Sequence, residues 1–167
     1  MKVAIIITDT QAVRHSPLVA LELDERLTGL GLDASILDLA DSSYQIDELA
    51  GYDYYLLVGG HTGPLYNQDT HKLLTDYRTL WRNRKIGTVM VSDERILAES
   101  ANEQLRTVLK SLSADLLPES LLVMDPEKKF DESLNLIDSS LNLAMYRFLF
   151  LLVYGEGAKK TDSRMSA

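Results

Sequence analysis

Three short, almost unbroken apolar runs constrain the fold of this chain more than any other feature. They cover residues 3–7, 52–60 and 86–92. Runs of this length and composition are typical of strands buried on both faces, as in a parallel sheet. Weaker apolar segments predict two further strands, at 33–39 and 120–124. The last strand is placed at 120–124 because Pro118 interrupts the start of its apolar segment.

Segments with helical spacing of apolar residues follow these runs. The first helix is predicted over 16–31, with Ser16 as the N-cap and Pro17 at the first helical position. A short helix is predicted around 46–50, and the last helix is predicted to run to about Tyr154. The other helix starts are predicted from capping residues, namely Asn67 or Asp69, a Ser100–Glu103 capping box, and Asp131.

Five strands alternating with five helices predict an α/β fold with right-handed parallel crossovers. The most apolar strands should be central, which favours a five-stranded sheet in the order 2-1-3-4-5 with helices on both faces. That order defines a flavodoxin-like three-layer sandwich. A chain of 167 residues fits one such domain, predicted over 1–154, followed by a flexible polar tail over 155–167.

Composition and missing motifs exclude several classes of function. The formal net charge is −8, which disfavours nucleic acid or an anionic membrane as partner. The chain has no cysteine, so thiolate metal sites and cysteine nucleophiles are excluded, and no metal site is predicted. No P-loop motif or nucleophile elbow occurs, and no Asp ends the third strand as in a receiver domain. No signal segment precedes the first strand, so a cytoplasmic location is expected.

Three loops should meet at the switch point between the first and third strands, where open α/β sheets bind ligands. They are predicted at 8–15, 61–67 and 93–99. The first loop could hold a phosphate with the amides of the following helix and a set of side chains. That set is Thr8, Thr10, Gln11, Arg14 and Ser16. Alternatively, Thr10 and Ser16 only cap turns, and Asp9 opposes a phosphate unless its carboxyl group points away.

The second and third loops could hold a flat ligand. Their candidate residues are His61, Thr62, Gly63, Pro64, Tyr66, Asn67, Ser92, Asp93 and Arg95. Glycine allows close backbone approach, Tyr66 could stack on a ring, and His61 could donate to a ring oxygen. Asp93 would repel an anionic ring, and Arg95 could compensate. Alternatively, the second loop is only a glycine turn with a surface histidine, and the third loop is only a solvated loop.

The last helix carries more apolar residues than one core can use. One stripe runs from Leu134 to Leu151, and a second from Leu143 to Tyr154. A helix that is apolar all round is either buried or spans a membrane, and this one is too short to span. Either neighbouring elements cover it, or its outer face forms a homo-oligomer interface.

The chain resembles the NAD(P)H-dependent FMN reductase family over about residues 2–124, and more loosely in the last helix. The matching residues follow the family's order along the chain. They are Arg14-His15-Ser16 after the first strand, Leu37-Asp38-Leu39 after the second, Tyr52-Asp53 before the third, Lys72 and Asp76 in the next helix, and Leu105-Arg106-Thr107-Val108-Leu109 after the fourth strand.

The resemblance implies an FMN-dependent oxidoreductase. It implies that the FMN phosphate lies on the first loop and the isoalloxazine lies against the other two loops. Hydride would pass from NADPH or NADH through the flavin to a small acceptor such as a flavin or quinone, without a catalytic side chain. Family members are usually homo-oligomers. All three loops depart from the family pattern, so a protein that has lost flavin and serves as an interaction or regulatory subunit is the alternative. Another small-ligand enzyme on the same scaffold also stays open.

Overall fold

The computed structural model describes residues 1–11, 14–41 and 46–165 of the chain. Two 3-10 turns, Ile46–Gly51 and Pro126–Lys128, accompany the regular elements. In chain order these elements are β1 Lys2–Ile7, α1 Ser16–Gly29, β2 Asp33–Asp38, β3 Tyr54–Gly59, β4 His61–Thr62, β5 Leu65–Tyr66, α2 Gln68–Asp76, β6 Lys85–Ser92, α3 Arg95–Ser111, β7 Asp115–Leu116, β8 Leu121–Met124 and α4 Ser139–Met165.

The main sheet is parallel and confirms the predicted flavodoxin-like order. β2, β1, β3 and β6 lie side by side, and β7 and β8 share the fifth position beside β6. Ile5 of β1 lies opposite Ile36 of β2 and Leu56 of β3. Alternate residues of these strands point to opposite faces, as their apolar character on both faces predicted.

The fifth strand is split because Pro118 cannot donate to the ladder. β7 pairs with the start of β6 and β8 with its end. Arg106 of α3 holds the intervening segment, with Nη2 donating to the Leu117 carbonyl at 3.0 Å and Nη1 to Ser120 Oγ at 3.2 Å. The Ser120 hydroxyl also contacts that of Thr88 in β6 at 2.8 Å. The family-like Arg106 therefore has a structural role here.

Helices cover both faces of the sheet. α1 and α4 pack on one face, while α2, α3 and the turn at Ile46–Gly51 pack on the other. On the second face, the buried rings of Tyr55 and Trp81 meet edge to face with centroids 5.6 Å apart. The turn replaces the short helix predicted at 46–50, so the described residues contain four α-helices rather than five.

Two predicted helix starts are corrected. His15, rather than Ser16, is the N-cap of α1, and the Ser16 hydroxyl is directed elsewhere. α3 begins at Arg95, so Ser100 lies inside the helix and forms no capping box. The predicted loop at 93–99 is therefore mostly helical. Asn67 is confirmed as the cap of α2, since its Oδ1 accepts from the Thr70 amide at 2.8 Å.

The last helix differs from its prediction at both ends. Asp138 rather than Asp131 caps α4, because its Oδ1 accepts from the Leu141 amide at 2.7 Å. Leu134 therefore precedes the helix instead of belonging to its apolar stripe. α4 extends to Met165 instead of ending near Tyr154, so the start of the predicted tail is helical, and residues 166–167 lie outside the described residues. No described helix meets the length and apolarity needed to cross a membrane.

Candidate functional site

A polar cleft of about 270 Å³ lies where β1, β3 and β6 end. It occupies the switch point where the three loops were predicted to meet. The residues that line it come from all three loops and from the turn after β8. They are Asp9, Gln11, Arg14, His15, Ser16, Gly60, His61, Val91, Ser92, Asp93, Glu94 and Pro126.

The hydroxyl groups of the first loop bond within the protein. Thr8 Oγ1 donates to the Val58 carbonyl at 3.3 Å, in the interior between β1 and β3. Thr10 Oγ1 donates to Asp69 Oδ2 at 2.6 Å, on the first turn of α2. The buried Ser16 hydroxyl donates to Asp9 Oδ2. Three of the predicted phosphate donors are thus engaged without a ligand.

Arg14 is engaged as well. Its guanidinium forms a bidentate pair with Asp38, Nη1 to Oδ1 at 2.8 Å and Nη2 to Oδ2 at 2.6 Å, and Nη1 also donates to the Asp9 carbonyl at 2.7 Å. Hydrogen bonding to Arg14 lowers the pKa of Asp38, and the same bonds raise the pKa of Arg14. β1 and β2 end side by side, with Ile7 opposite Asp38, which brings Asp38 to the first loop.

Asp9 is the buried acid of the cleft. Burial raises the pKa of this carboxyl group, while the Ser16 hydrogen bond and the charge of Arg14 oppose the increase. Its Oδ1 has no hydrogen-bond partner in the described part of the chain, and lies 3.7 Å from Arg14 Nη1. A carboxyl group therefore stands where the sequence predicted a phosphate.

The first turn of α1 offers few amides to an anion. Pro17 has no N–H, and the amides of Leu18 and Val19 donate to the His15 carbonyl at 3.1 and 3.3 Å. The Ser16 amide is therefore the most that this turn can give a ligand. A phosphate site at a helix N-terminus depends on several such free amides.

The second loop is a β-hairpin, which sequence reasoning missed. β4 and β5 pair antiparallel, with His61 opposite Tyr66, and Gly63 turns the chain at φ 58°. Thr62, Gly63 and Pro64 form its exposed tip, away from the cleft. The available signal was the two-residue turn Gly63-Pro64, with two residues on each side that can pair.

Tyr66 and Asn67 also point away from the cleft. The Tyr66 hydroxyl lies 2.7 Å from His71 Nδ1, and the ring lines a separate groove of about 680 Å³ between the hairpin, α2 and α3. Burial raises the pKa of Tyr66. Asn67 is occupied in capping α2. The predicted stacking of Tyr66 on a ring in the cleft is not supported by this position.

A hydrogen bond joins the second loop to the end of β6. His61 Nδ1 lies 2.8 Å from the Gly63 carbonyl, which can only accept, so Nδ1 carries the proton. The other ring nitrogen, Nε2, lies 2.5 Å from Ser92 Oγ. Ser92 Oγ also accepts from the Glu94 amide at 2.9 Å. This contact fixes the imidazole at the rim of the cleft.

The structure brings together only some of the predicted site residues. Those at the cleft are Gln11, Arg14, Ser16, His61, Ser92 and Asp93. Those outside its lining are Thr8, Thr10, Thr62, Gly63, Pro64, Tyr66, Asn67 and Arg95. Arg95 is exposed and pairs with Glu99 at 3.5 Å, and thus does not balance Asp93.

Sequence reasoning missed three features of the cleft. It gave His15 no place among the candidate site residues, but His15 lines the cleft with Nε2 3.4 Å from Glu127 Oε1. It did not name Gly60 individually among the glycines of the second loop, and it did not pair Arg14 with Asp38. The signal for the pair was available, since Arg14 follows one strand and Asp38 lies at the end of a second strand that was predicted to be its neighbour.

The strand order and the cleft at the switch point define a flavodoxin-like fold. No protein-family model and no curated protein sequence matches the chain. Among solved structures, the flavoenzyme FerB, an NAD(P)H:(acceptor) oxidoreductase from Paracoccus denitrificans, is 14% identical, with a TM-score of 0.73 over 93% of this chain and 97% of that chain. The NADH:FMN oxidoreductase EmoB in its apo form is 13% identical, with a TM-score of 0.71 over 88% and 87%.

Flavodoxins share the fold too. A flavodoxin from Streptococcus pneumoniae is 13% identical, with a TM-score of 0.65 over 89% of this chain and 94% of that chain. At these identities the likeness shows the fold. It confirms the fold that the sequence resemblance implied.

The described residues do not fit the phosphate end of FMN. The hydroxyls of the first loop and Arg14 are bonded internally, the helix turn offers at most one amide, and Asp9 adds a buried carboxyl group. Phosphate carries nearly two negative charges at neutral pH. The rest of the cleft, open between the first loop, His61 and Asp93, raises no such conflict.

Proposed function

We propose that the chain is a flavin-dependent oxidoreductase that takes electrons from NADPH or NADH and passes them to a small acceptor such as a flavin or quinone. The observation that carries the proposal is the cleft at the switch point of a flavodoxin-like sheet. The likeness to FerB and EmoB over nearly the whole chain supports it. The chain would supply position and electrostatics, and the flavin would supply the redox chemistry.

One observation favours a second candidate, a protein that has lost flavin and serves as an interaction or regulatory subunit. Arg14 donates short hydrogen bonds to Asp38 and to the Asp9 carbonyl. Its guanidinium would have to break these bonds in order to bind a ligand. A site whose cation already has a bidentate partner gains less from an incoming anion. The two candidates differ in one measurable property, which is flavin binding.

Purified protein tests the choice directly. We expect a visible flavin spectrum, or uptake of added riboflavin or FMN, and oxidation of NADPH or NADH in the presence of flavin and a quinone. A folded, colourless protein that takes up neither flavin would overturn the proposal and leave the second candidate. Folding is checked by far-UV circular dichroism on the same sample.

We also propose that the protein forms a homo-oligomer through α4. The inner side of this helix is buried, but four large side chains at helical spacing are more than half exposed in the described part of the chain. Their exposed fractions are Leu143 71%, Tyr146 53%, Phe150 58% and Tyr154 54%. The rings of Phe150 and Tyr154 lie 4.9 Å apart and form one apolar patch. Such patches mark association surfaces.

A charge placed in this patch should separate the copies. We expect Phe150→Asp to shift the protein to monomer in sedimentation or light scattering, with the fold retained because the side chain is outside the core. Ile96→Asp is the matched control, since Ile96 is 82% exposed on α3, on the other face of the sheet. A wild-type protein that is already monomeric, or an unchanged assembly in Phe150→Asp, would refute the interface.

A further inference from the structure

The carboxyl group of Asp9 is incompletely bonded. Oδ2 accepts from Ser16, but Oδ1 is buried and has no hydrogen-bond partner among the described residues. The nearest cation, Arg14 Nη1, lies 3.7 Å away and is directed to Asp38. A buried acceptor left in this state costs free energy, which a ligand that donates a hydrogen bond would recover.

Asp9 lines the cleft close to the ends of the central strands. A Cβ built on Gly60 would lie 3.8 Å from Asp9 Oδ2 and 3.7 Å from the Val91 carbonyl. The carboxyl group therefore lies beside Gly60, close to the ends of β3 and β6. A ligand at the switch point meets a carboxyl group where a phosphate would otherwise lie.

The charges around the cleft reinforce this preference. Asp93 and Glu94 also line it. Arg14 is paired with Asp38, and His15 faces Glu127. A phosphate would add negative charge to this acidic surface, whereas a hydroxyl would add none. An acceptor that binds the neutral ligand and repels the charged one discriminates in both directions.

We infer that the cleft selects a flavin without a phosphate group, whose neutral hydroxylated side chain donates a hydrogen bond to Asp9. This inference rests on the proposed function, because it concerns which flavin the same cleft binds. Riboflavin and FMN are suitable probes, since they share the ring and the hydroxylated chain and differ in the phosphate alone.

The test is a titration of the full-length protein, freed of any flavin, with riboflavin and with FMN, followed by flavin fluorescence. We expect the Kd for riboflavin to be lower by at least about tenfold. Asp9→Asn keeps the shape of the side chain and an acceptor for Ser16 but removes the charge. It should improve FMN binding relative to riboflavin by at least about tenfold. Asp93→Asn removes an exposed acid of the same cleft, and its effect should be below about threefold.

Asp9→Asn is expected to fold. Burial raises the pKa of Asp9, so its charged form opposes folding at neutral pH and a neutral isostere does not. Circular dichroism checks this, and the wild-type comparison does not depend on any variant.

The outcomes separate the inference from the proposed function. FMN binding equal to or tighter than riboflavin in the wild type would overturn the inference and leave flavin binding intact. Binding of neither flavin by folded protein would overturn the proposed function itself. A ratio that Asp9→Asn leaves unchanged would show that Asp9 is not the selecting group, and would also overturn the inference.

Discussion

Gly59→Ala should destabilise the protein by about 3 kcal/mol, the upper part of the range for overpacking in a core. A Cβ at this position would lie 2.1 Å from Thr8 Oγ1, a distance at which the Thr8 hydroxyl or one strand end must move. Both residues lie at the ends of central strands, and Thr8 is buried, so little space is available for relaxation. The measurement is the free energy of unfolding from urea titration, with unfolding followed by Trp81 fluorescence.

A second substitution tests the cause. Thr8→Ala removes the clashing oxygen, and the other neighbours of the new methyl group, Asn67 Nδ2 and Thr8 Cβ, are at an ordinary 3.5 Å. We expect the double variant to be more stable than Gly59→Ala, with a coupling of at least about 1 kcal/mol. Gly29→Ala is the control, since its Cβ meets nothing within 4 Å. Additive effects of the two substitutions would contradict the steric explanation.

Removal of Arg14 should produce the largest electrostatic effect. Arg14→Met leaves Asp38 and Asp9 facing each other without their shared cation, and both pair members are mostly buried, with side chains 17% and 28% exposed. We expect a loss of about 2 kcal/mol near pH 7 in urea unfolding. Glu99→Gln breaks the exposed pair with Arg95, and should change stability by less than about 0.5 kcal/mol.

The loss should depend on pH in a defined direction. Arg14 lowers the pKa of Asp38 in the folded protein, so the pair stabilises the fold above the ordinary Asp pKa of about 4. That contribution disappears as the pH falls through the folded pKa of Asp38. The difference between wild type and Arg14→Met should therefore shrink as the pH is lowered from about 7 to about 3. A difference that is constant or grows in acid would rule out this ion pair as its source.

Local sequence patterns were sufficient for the scaffold and insufficient for helix starts. The apolar runs that became β1, β3 and β6 are buried on both faces. Consecutive apolar residues in the sequence indicate such burial directly, because neighbouring side chains of a strand point to opposite faces. Helix starts depend on a choice between competing polar groups. Ser16 has the residue type of an N-cap, but its hydroxyl bonds to Asp9, and Asp138 was closer to the packed part of α4 than Asp131.

The three predicted loops meet at a cleft at the switch point, and only some of the predicted side chains line it. Parallel strand order places three loops at one edge of the sheet, so the position of the cleft follows from the order alone. Which side chains face the cleft depends on the hairpin β4–β5, whose pairing turns Tyr66 toward His71 and leaves His61 beside Ser92. A register shift of one residue would move every side chain of the hairpin to its opposite face. The amino-acid composition does not encode which register forms.

The sequence by itself determined the strand order, the layers and the place of the cleft, because periodicity of apolar residues is a local property. The tertiary structure decided the chemistry of the cleft. Arg14 and Asp38 are 24 residues apart in the chain, and Asp9 and Ser16 meet across a loop. Arg14 meets Asp38 because β1 and β2 end side by side. The hydroxyls and the guanidinium that predicted a phosphate site bond to other groups of the protein instead, and one carboxyl oxygen of Asp9 remains for a ligand that can donate.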